Sequence, residues 1–144
     1  MKRIILLAFL CTTTLVMAQR INHVQEAIAN YDYEAALTLI AKEKPTIPLL
    51  LQKGKAQRGL GMNTEALSTY QEIIANDTAN TRAYIEAAEC CRSLAKYQQA
   101  LKYYEQALDL NPENKYVRIQ YIGLLLSLQK FQDALGESSL MTEK

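Results

Sequence analysis

Few side chains in this sequence are spaced to perform covalent chemistry. His23 is the one imidazole among 144 residues, and a catalytic triad or zinc site would need partners that no recognised spacing around it supplies. Cys90 and Cys91 are adjacent. On a helix they would point about 100° apart, so a disulfide between them would be strained. In an oxidising compartment two free thiols could form a redox or metal pair, or they could pack as small buried hydrophobes, which is the expectation. Gly54, Gly59 and Gly61 lack the lysine and hydroxyl residue of a phosphate-binding loop. Glu86 and Glu89 read as a solvated helix face rather than an acid and base. No enzymatic activity, cofactor or metal is expected.

The elements that would position any site must be helices. Glycine and proline are scarce, at 5 and 3 residues, while hydrophobic residues make up 49% and charged residues 22%. That balance excludes disorder and turn-rich β architecture, and the length suits one domain. Sixteen basic against 15 acidic residues leave no field to hold a phosphate backbone, so nucleic acid is not an expected partner.

The first residues read as an export signal. Lys2 and Arg3 precede an apolar run from Ile4 to Val16, and Val16, Met17 and Ala18 supply a cleavage site, with the cut expected between Ala18 and Gln19. The alternative is a membrane anchor, but Thr12, Thr13 and Thr14 interrupt a stretch barely long enough for a ~20-residue span. Cleavage removes two basic residues and Cys11, and the remaining chain is expected to be periplasmic or secreted without membrane insertion.

A repeat organises the rest. Ala100, Leu101, Tyr104, Ala107 and Leu108 form the stripe of a buried helix face. Ala66, Leu67, Tyr70, Ile73 and Ile74 precede them by 34 residues, and Ala134, Leu135, Ser138 and Met141 follow at the same interval. A period of this length marks stacked helical pairs. Ala36, Leu37 and Ile40 begin an abbreviated copy that Pro45 and Pro48 are expected to end. The spacing predicts helices near 20–30, 33–43, 48–60, 63–75, 81–94, 97–109, 114–128 and 131–141. Gly54, Ala88 and Ala100 are expected to let backbones approach.

These residues resemble the tetratricopeptide repeat. Residues 81–114 carry Tyr84, Ala88, Tyr97, Ala100, Tyr104, Ala107 and Pro112 at the family's positions, and residues 47–80 keep Leu50, Gly54, Ala66 and Tyr70. In residues 115–144, Phe131 and Ala134 agree, whereas Arg118 and Ile122 depart from the large and small positions; a one-residue shift would place Ile119 and Gly123 there. The resemblance implies an all-α, right-handed α-solenoid of about four helix-turn-helix units, near 20–46, 47–80, 81–114 and 115–144, after a leader of residues 1–18. Tyr70, Tyr84, Tyr97 and Tyr104 would then be core, with Tyr103 and Tyr116 freer.

In the family, outward residues of the first helix in each unit line a groove. Here these are Leu51, Gln52, Lys55, Arg58, Arg82, Ile85, Glu86, Glu89, Arg92, Ile119 and Gln120, with Gly123 beside them. This mixed surface suits an extended peptide or partner helix. It lacks the lysines and asparagines with which some members clamp a chain-terminal carboxylate. The resulting expectation is a non-enzymatic interaction scaffold of the bacterial cell envelope, the alternative being the sensor segment of a longer regulatory protein. Leu135 and Leu140 of the final helix are expected to remain uncovered and to support self-association.

Overall fold

The computed structural model describes residues 21–141, and among them every regular element is a helix. The expected leader, Cys11 included, lies outside the described residues. Helix α1 covers residues 21–29. It is followed by α2 (Tyr33–Ile40), α3 (Ile47–Gly59), α4 (Asn63–Asn76), α5 (Thr81–Ser93), α6 (Tyr97–Leu110), α7 (Lys115–Ser127) and α8 (Phe131–Ser139). All eight expected helices are present. The largest difference is at α2, which ends at Ile40 before the prolines are reached, and Pro48 sits in the first turn of α3. Its fixed φ favours that place, where an amide donor is not needed.

The 34-residue period is written in the backbone as well as in the side chains. Each first helix of a pair ends on a residue in the left-handed region: Tyr31 (φ 61°), Gly61 (φ 74°), Ala95 (φ 55°) and Gln129 (φ 59°). At each end the next amide donates back across the final turn, Asp32 to Ala27, Met62 to Gln57, Lys96 to Cys91 and Lys130 to Leu125, at 2.8–2.9 Å. This is a Schellman closure, which satisfies carbonyls the helix would otherwise leave orphaned. The last three occurrences are 34 residues apart; the first precedes them by 30, so the abbreviated copy is shortened without loss of its turn. Only one of the four is glycine. Replacing Ala95 by glycine is expected to raise the unfolding free energy by about 0.5–1 kcal/mol, measured by urea denaturation, because glycine adopts this φ without steric cost.

Caps begin the helices where turns end. Asp32 accepts from the Ala35 amide at 3.1 Å, Asn80 from Ala83 at 3.1 Å and Asn114 from Val117 at 3.2 Å. Asn80 and Asn114 are one period apart, and each satisfies a donor of the first turn.

The chain divides into two compact units, with the boundary between Met62 and Asn63. In the first, Val24, Ile28, Ala36, Ile40, Leu49 and Ala56 form the core, with Tyr33, Leu37 and Leu39 packed against it. Gly59 allows this packing, since a β-carbon there would lie 2.3 Å from the Tyr33 ring. The sequence pattern pointed to Gly54 for close approach and gave no sign of this second glycine.

In the second unit α4 packs on α5, α5 on α6, α6 on α7 and α7 on α8. Ala66, Ala100 and Ala134 are buried at one repeat position and Tyr70 and Tyr104 at another. Val117, Arg118, Tyr121, Leu124 and Leu125 are the buried residues of α7, while Ile119 and Gly123 are exposed. The repeat register thus continues unshifted, and the one-residue shift is not adopted. Tyr97 is corrected too. It is 43% exposed and its counterpart Phe131 60%. As the first residue of its helix, Tyr97 extends over the preceding turn instead of into the packed interface.

Candidate functional site

The residues expected to face a partner fall on α3 in the first unit and on α5 and α7 in the second. On α3, Leu51, Gln52 and Arg58 are half-buried and Lys55 is exposed. Their offsets of three and four residues place them on one helix face. In the second unit Arg82 is exposed, Ile85, Glu86, Glu89, Arg92 and Gln120 are half-buried, and Ile119 is exposed.

Three of these side chains meet. An Arg92 Nη1 donates to Gln120 Oε1 at 2.9 Å, linking α5 to α7, and lies 3.4 Å from Glu89 Oε1. It also donates to the Tyr104 hydroxyl at 3.3 Å, and that hydroxyl donates to Glu89. Tyr104 comes from α6 beneath the face, its ring fully buried and edge-on to Tyr121 at 6.5 Å. The Tyr121 hydroxyl donates to Glu105 at 2.6 Å. Periodicity marked Tyr104 as core and Glu89, Arg92 and Gln120 as surface; the structure makes them one network that joins core to surface. Burial, followed by the hydrogen bond to Glu89, pushes the Tyr104 phenol above the ordinary tyrosine range. Tyr121 is raised by burial and by its bond to Glu105.

Along α7, Tyr116 (60% exposed), Ile119 (53%) and Leu126 (48%) form an apolar stripe. Gly123 lies within it, and a β-carbon added there would meet no atom within 4 Å. Tyr116, Gly123 and Leu126 each stand 34 residues after an α5 residue of the same face, namely Arg82, Glu89 and Arg92. The face therefore changes from charged on α5 to apolar on α7.

Other candidate chemistry is placed differently. Cys90 and Cys91 are both fully buried, and burial raises the Cys91 thiol, which Lys96 only partly offsets. A thiol held protonated is a poor nucleophile. Under native conditions a disulfide reagent is expected to leave both thiols unmodified for far longer than in urea, and joint replacement by alanine and valine should cost no more than ~2 kcal/mol. Rapid native labelling would place a reactive thiol at the surface. His23 is exposed on α1, 3.8 Å from Glu26. No group of three or more His, Cys, Asp or Glu side chains among the described residues is placed to hold a metal ion, and no described helix is long and apolar enough to cross a membrane.

Residues 92–137 match the tetratricopeptide repeat family. No curated protein matches the chain. Among solved structures, MamA from Desulfovibrio magneticus RS-1 superposes with a TM-score of 0.78 at 16% identity, over 85% of this chain and 72% of that one. A tetratricopeptide repeat protein from Parabacteroides merdae ATCC 43184 gives 0.79 at 23% identity, over 88% of this chain and 52% of that one. The first tetratricopeptide repeat domain of Spaghetti (RPAP3), solved bound to an HSP90 peptide, gives 0.73 at 21% identity, over 78% and 92%. With its period, its closures and these likenesses, the chain has the fold of an all-α helical-repeat solenoid of the tetratricopeptide kind.

Proposed function

We propose that this chain is a non-enzymatic interaction module of the bacterial cell envelope, exported by its N-terminal segment, that holds a peptide or helix of a partner protein on the first helices of its repeats. The carrying observation is the apolar stripe of Tyr116, Ile119 and Leu126, set beside the hydrogen-bonded Glu89, Arg92 and Gln120. Such a surface offers contact area and fixed polar groups together. The peptide held by the RPAP3 domain supports the reading by analogy of fold.

The test is affinity capture from the envelope fraction with the tagged protein, followed by Arg82→Ala and Ile119→Glu. Both residues are exposed, so affinity for the captured partner should fall at least about tenfold with little change in melting temperature. Unaltered affinity would move the binding surface elsewhere. Arg92 is a poorer choice because it is tied to Tyr104. Intact mass of the native protein should begin at Gln19; retention of residues 1–18 in the membrane fraction would replace the export signal with an anchor.

A specific feature also favours self-association. Leu67 and Leu101 are 5% and 3% exposed, yet Leu135, one period later, is 67% exposed, with Leu140 at 52%. The position is buried on α4 and α6 and open on α8. Light scattering of the purified protein is expected to show mass rising with concentration, and Leu135→Glu with Leu140→Glu should return it to monomer. A wild type that stays monomeric across a wide concentration range rejects this.

A further inference from the structure

Helix α8 is the least secured element of the second unit. It has nine residues and buries only Ala134, whereas α6 buries Ala100, Leu101, Tyr104, Ala107 and Leu108. A helix this short does not hold its form in water without packing. An ion pair ties it to α7: Arg118, its side chain 10% exposed, donates to Glu137 and also to the carbonyl of Pro112. A buried guanidinium is costly without its carboxylate. Any opening of α8 therefore has to give Arg118 another one.

The turn that returns α8 onto α7 holds strain. Gln129 sits at φ 59°, a left-handed conformation unfavourable to a residue with a β-carbon, and the Gln129 and Lys130 amides close it onto Leu126 and Leu125. The same closure at Ala95 leads into α6, where five buried residues keep it shut; beyond Gln129 there is one. The last turn is the one that can open. Around it the surface is apolar, with Leu126 48% exposed, Phe131 60% and Leu135 67%. A single chain leaves all three to water.

We propose that two copies of this chain exchange α8: the turn at Gln129 opens, each α8 lies on the α7 of the other copy, and each Arg118 pairs with the partner's Glu137. The occupant is a second copy because its α8 carries what α7 requires, the small Ala134 and, three positions on, the carboxylate that Arg118 needs. Leu128 to Lys130 spans at most about 10 Å when extended, so exchange brings the ends of the two α7 helices together. The new contact forms where Leu126, Phe131 and Leu135 lie. The packing of α8 on α7 is kept, two left-handed turns are released and apolar surface is covered, against the entropy of association, so exchange rises with concentration. The proposal rests on the self-association read above and names the element that carries it.

Two charge variants, Arg118→Glu and Glu137→Arg, test it by light scattering and native mass at about 0.5 M salt, where general attraction between them is screened. Each alone sets like charges together in the monomer and in the exchanged dimer, so its dimer should be at least about tenfold weaker than that of the wild type. In an equal mixture, exchange sets each new charge against an opposite one at both sites. A heterodimer within about threefold of wild-type affinity is expected, with the amides of α8 regaining their native shifts. If α8 stays on its own chain, mixing repairs neither clash, and a mixture no tighter than the separate variants overturns the exchange. A variant that fails to fold alone gives the same decision, because only exchange restores its spectrum on mixing. Gln129→Gly is an independent arm: it relieves the turn in the single chain and should weaken the wild-type dimer at least about fivefold, so an unaltered dimer also overturns the proposal. A wild type that stays monomeric removes self-association and exchange together, whereas a wild-type dimer without repair in the mixture removes the exchange alone.

Discussion

Replacing Tyr104 by alanine is expected to lower the unfolding free energy by roughly 3–5 kcal/mol, the loss seen when a fully buried aromatic is truncated. The ring is completely buried and packs against Tyr121, so the surrounding helices cannot collapse into the vacated volume without moving α7 relative to α6. Tyr104→Phe separates the ring from the hydroxyl. It keeps the volume and removes the bonds to Glu89 and Arg92, at a cost of about 1–2 kcal/mol. Its distinctive effect is on the surface: Arg92 loses one of its anchors, and the salt dependence of partner binding should change although Tyr104 contacts no partner.

The same substitution has a pH signature. Both Tyr104 and Tyr121 have phenols raised in the folded protein, relative to about 10 in an unfolded chain. The folded state holds these protons more tightly, so their contribution to stability is complete below pH ~10 and is lost as pH rises through the folded values. Urea midpoints should fall above pH ~10 more steeply for the wild type than for Tyr104→Phe with Tyr121→Phe. Identical slopes would mean that neither phenol is held protonated by its burial and its bond to a carboxylate.

Much of this architecture could be read from spacing alone because each repeat must bury the same stripe. Ala66, Ala100 and Ala134 recur at one buried position, and Gly54 and Ala88 at another, one period apart. Local chemistry sets the helix bounds, with Asn80 and Asn114 opening α5 and α7. Three of the four left-handed turn residues were hidden, since tyrosine, alanine and glutamine carry no turn signal; their positive φ and the closing hydrogen bonds reveal them. The binding face was half legible. Offsets of three and four residues identify which side chains share a helix face, but they cannot join Tyr104 of α6 to Arg92 of α5 and Gln120 of α7, because that contact depends on how three helices pack. The pattern makes Gly123 the small residue of a shifted register, whereas it lies exposed on the outer face of α7.

Arg118 illustrates the same limit and carries the second large effect. It occupies the position held by Tyr84 one period earlier, yet it is buried, 8% exposed. An unpaired guanidinium there would be costly. The structure supplies partners from two directions: Arg118 donates to Glu137 on α8 and, at 2.7 Å, to the carbonyl of Pro112 in the turn before α7. This clamp matters because α8 has nine residues and buries only Ala134, too little to hold a helix that would not form alone. Arg118→Ala is expected to cost about 2–3 kcal/mol, below the full value for breaking a buried pair because the Glu137 side chain keeps 27% exposure. The loss should be concentrated at the end of the array, with amides of α8 exchanging at least about tenfold faster and those of α5 and α6 accelerated less. Arg118→Tyr, which restores the aromatic found at Tyr84, should recover packing against α7's neighbours but leave Glu137 without its cation, so its α8 amides stay fast. In a double-mutant cycle with Glu137→Ala, a coupling of at least ~1 kcal/mol is expected; additive effects would show that α8 is held by apolar contact alone.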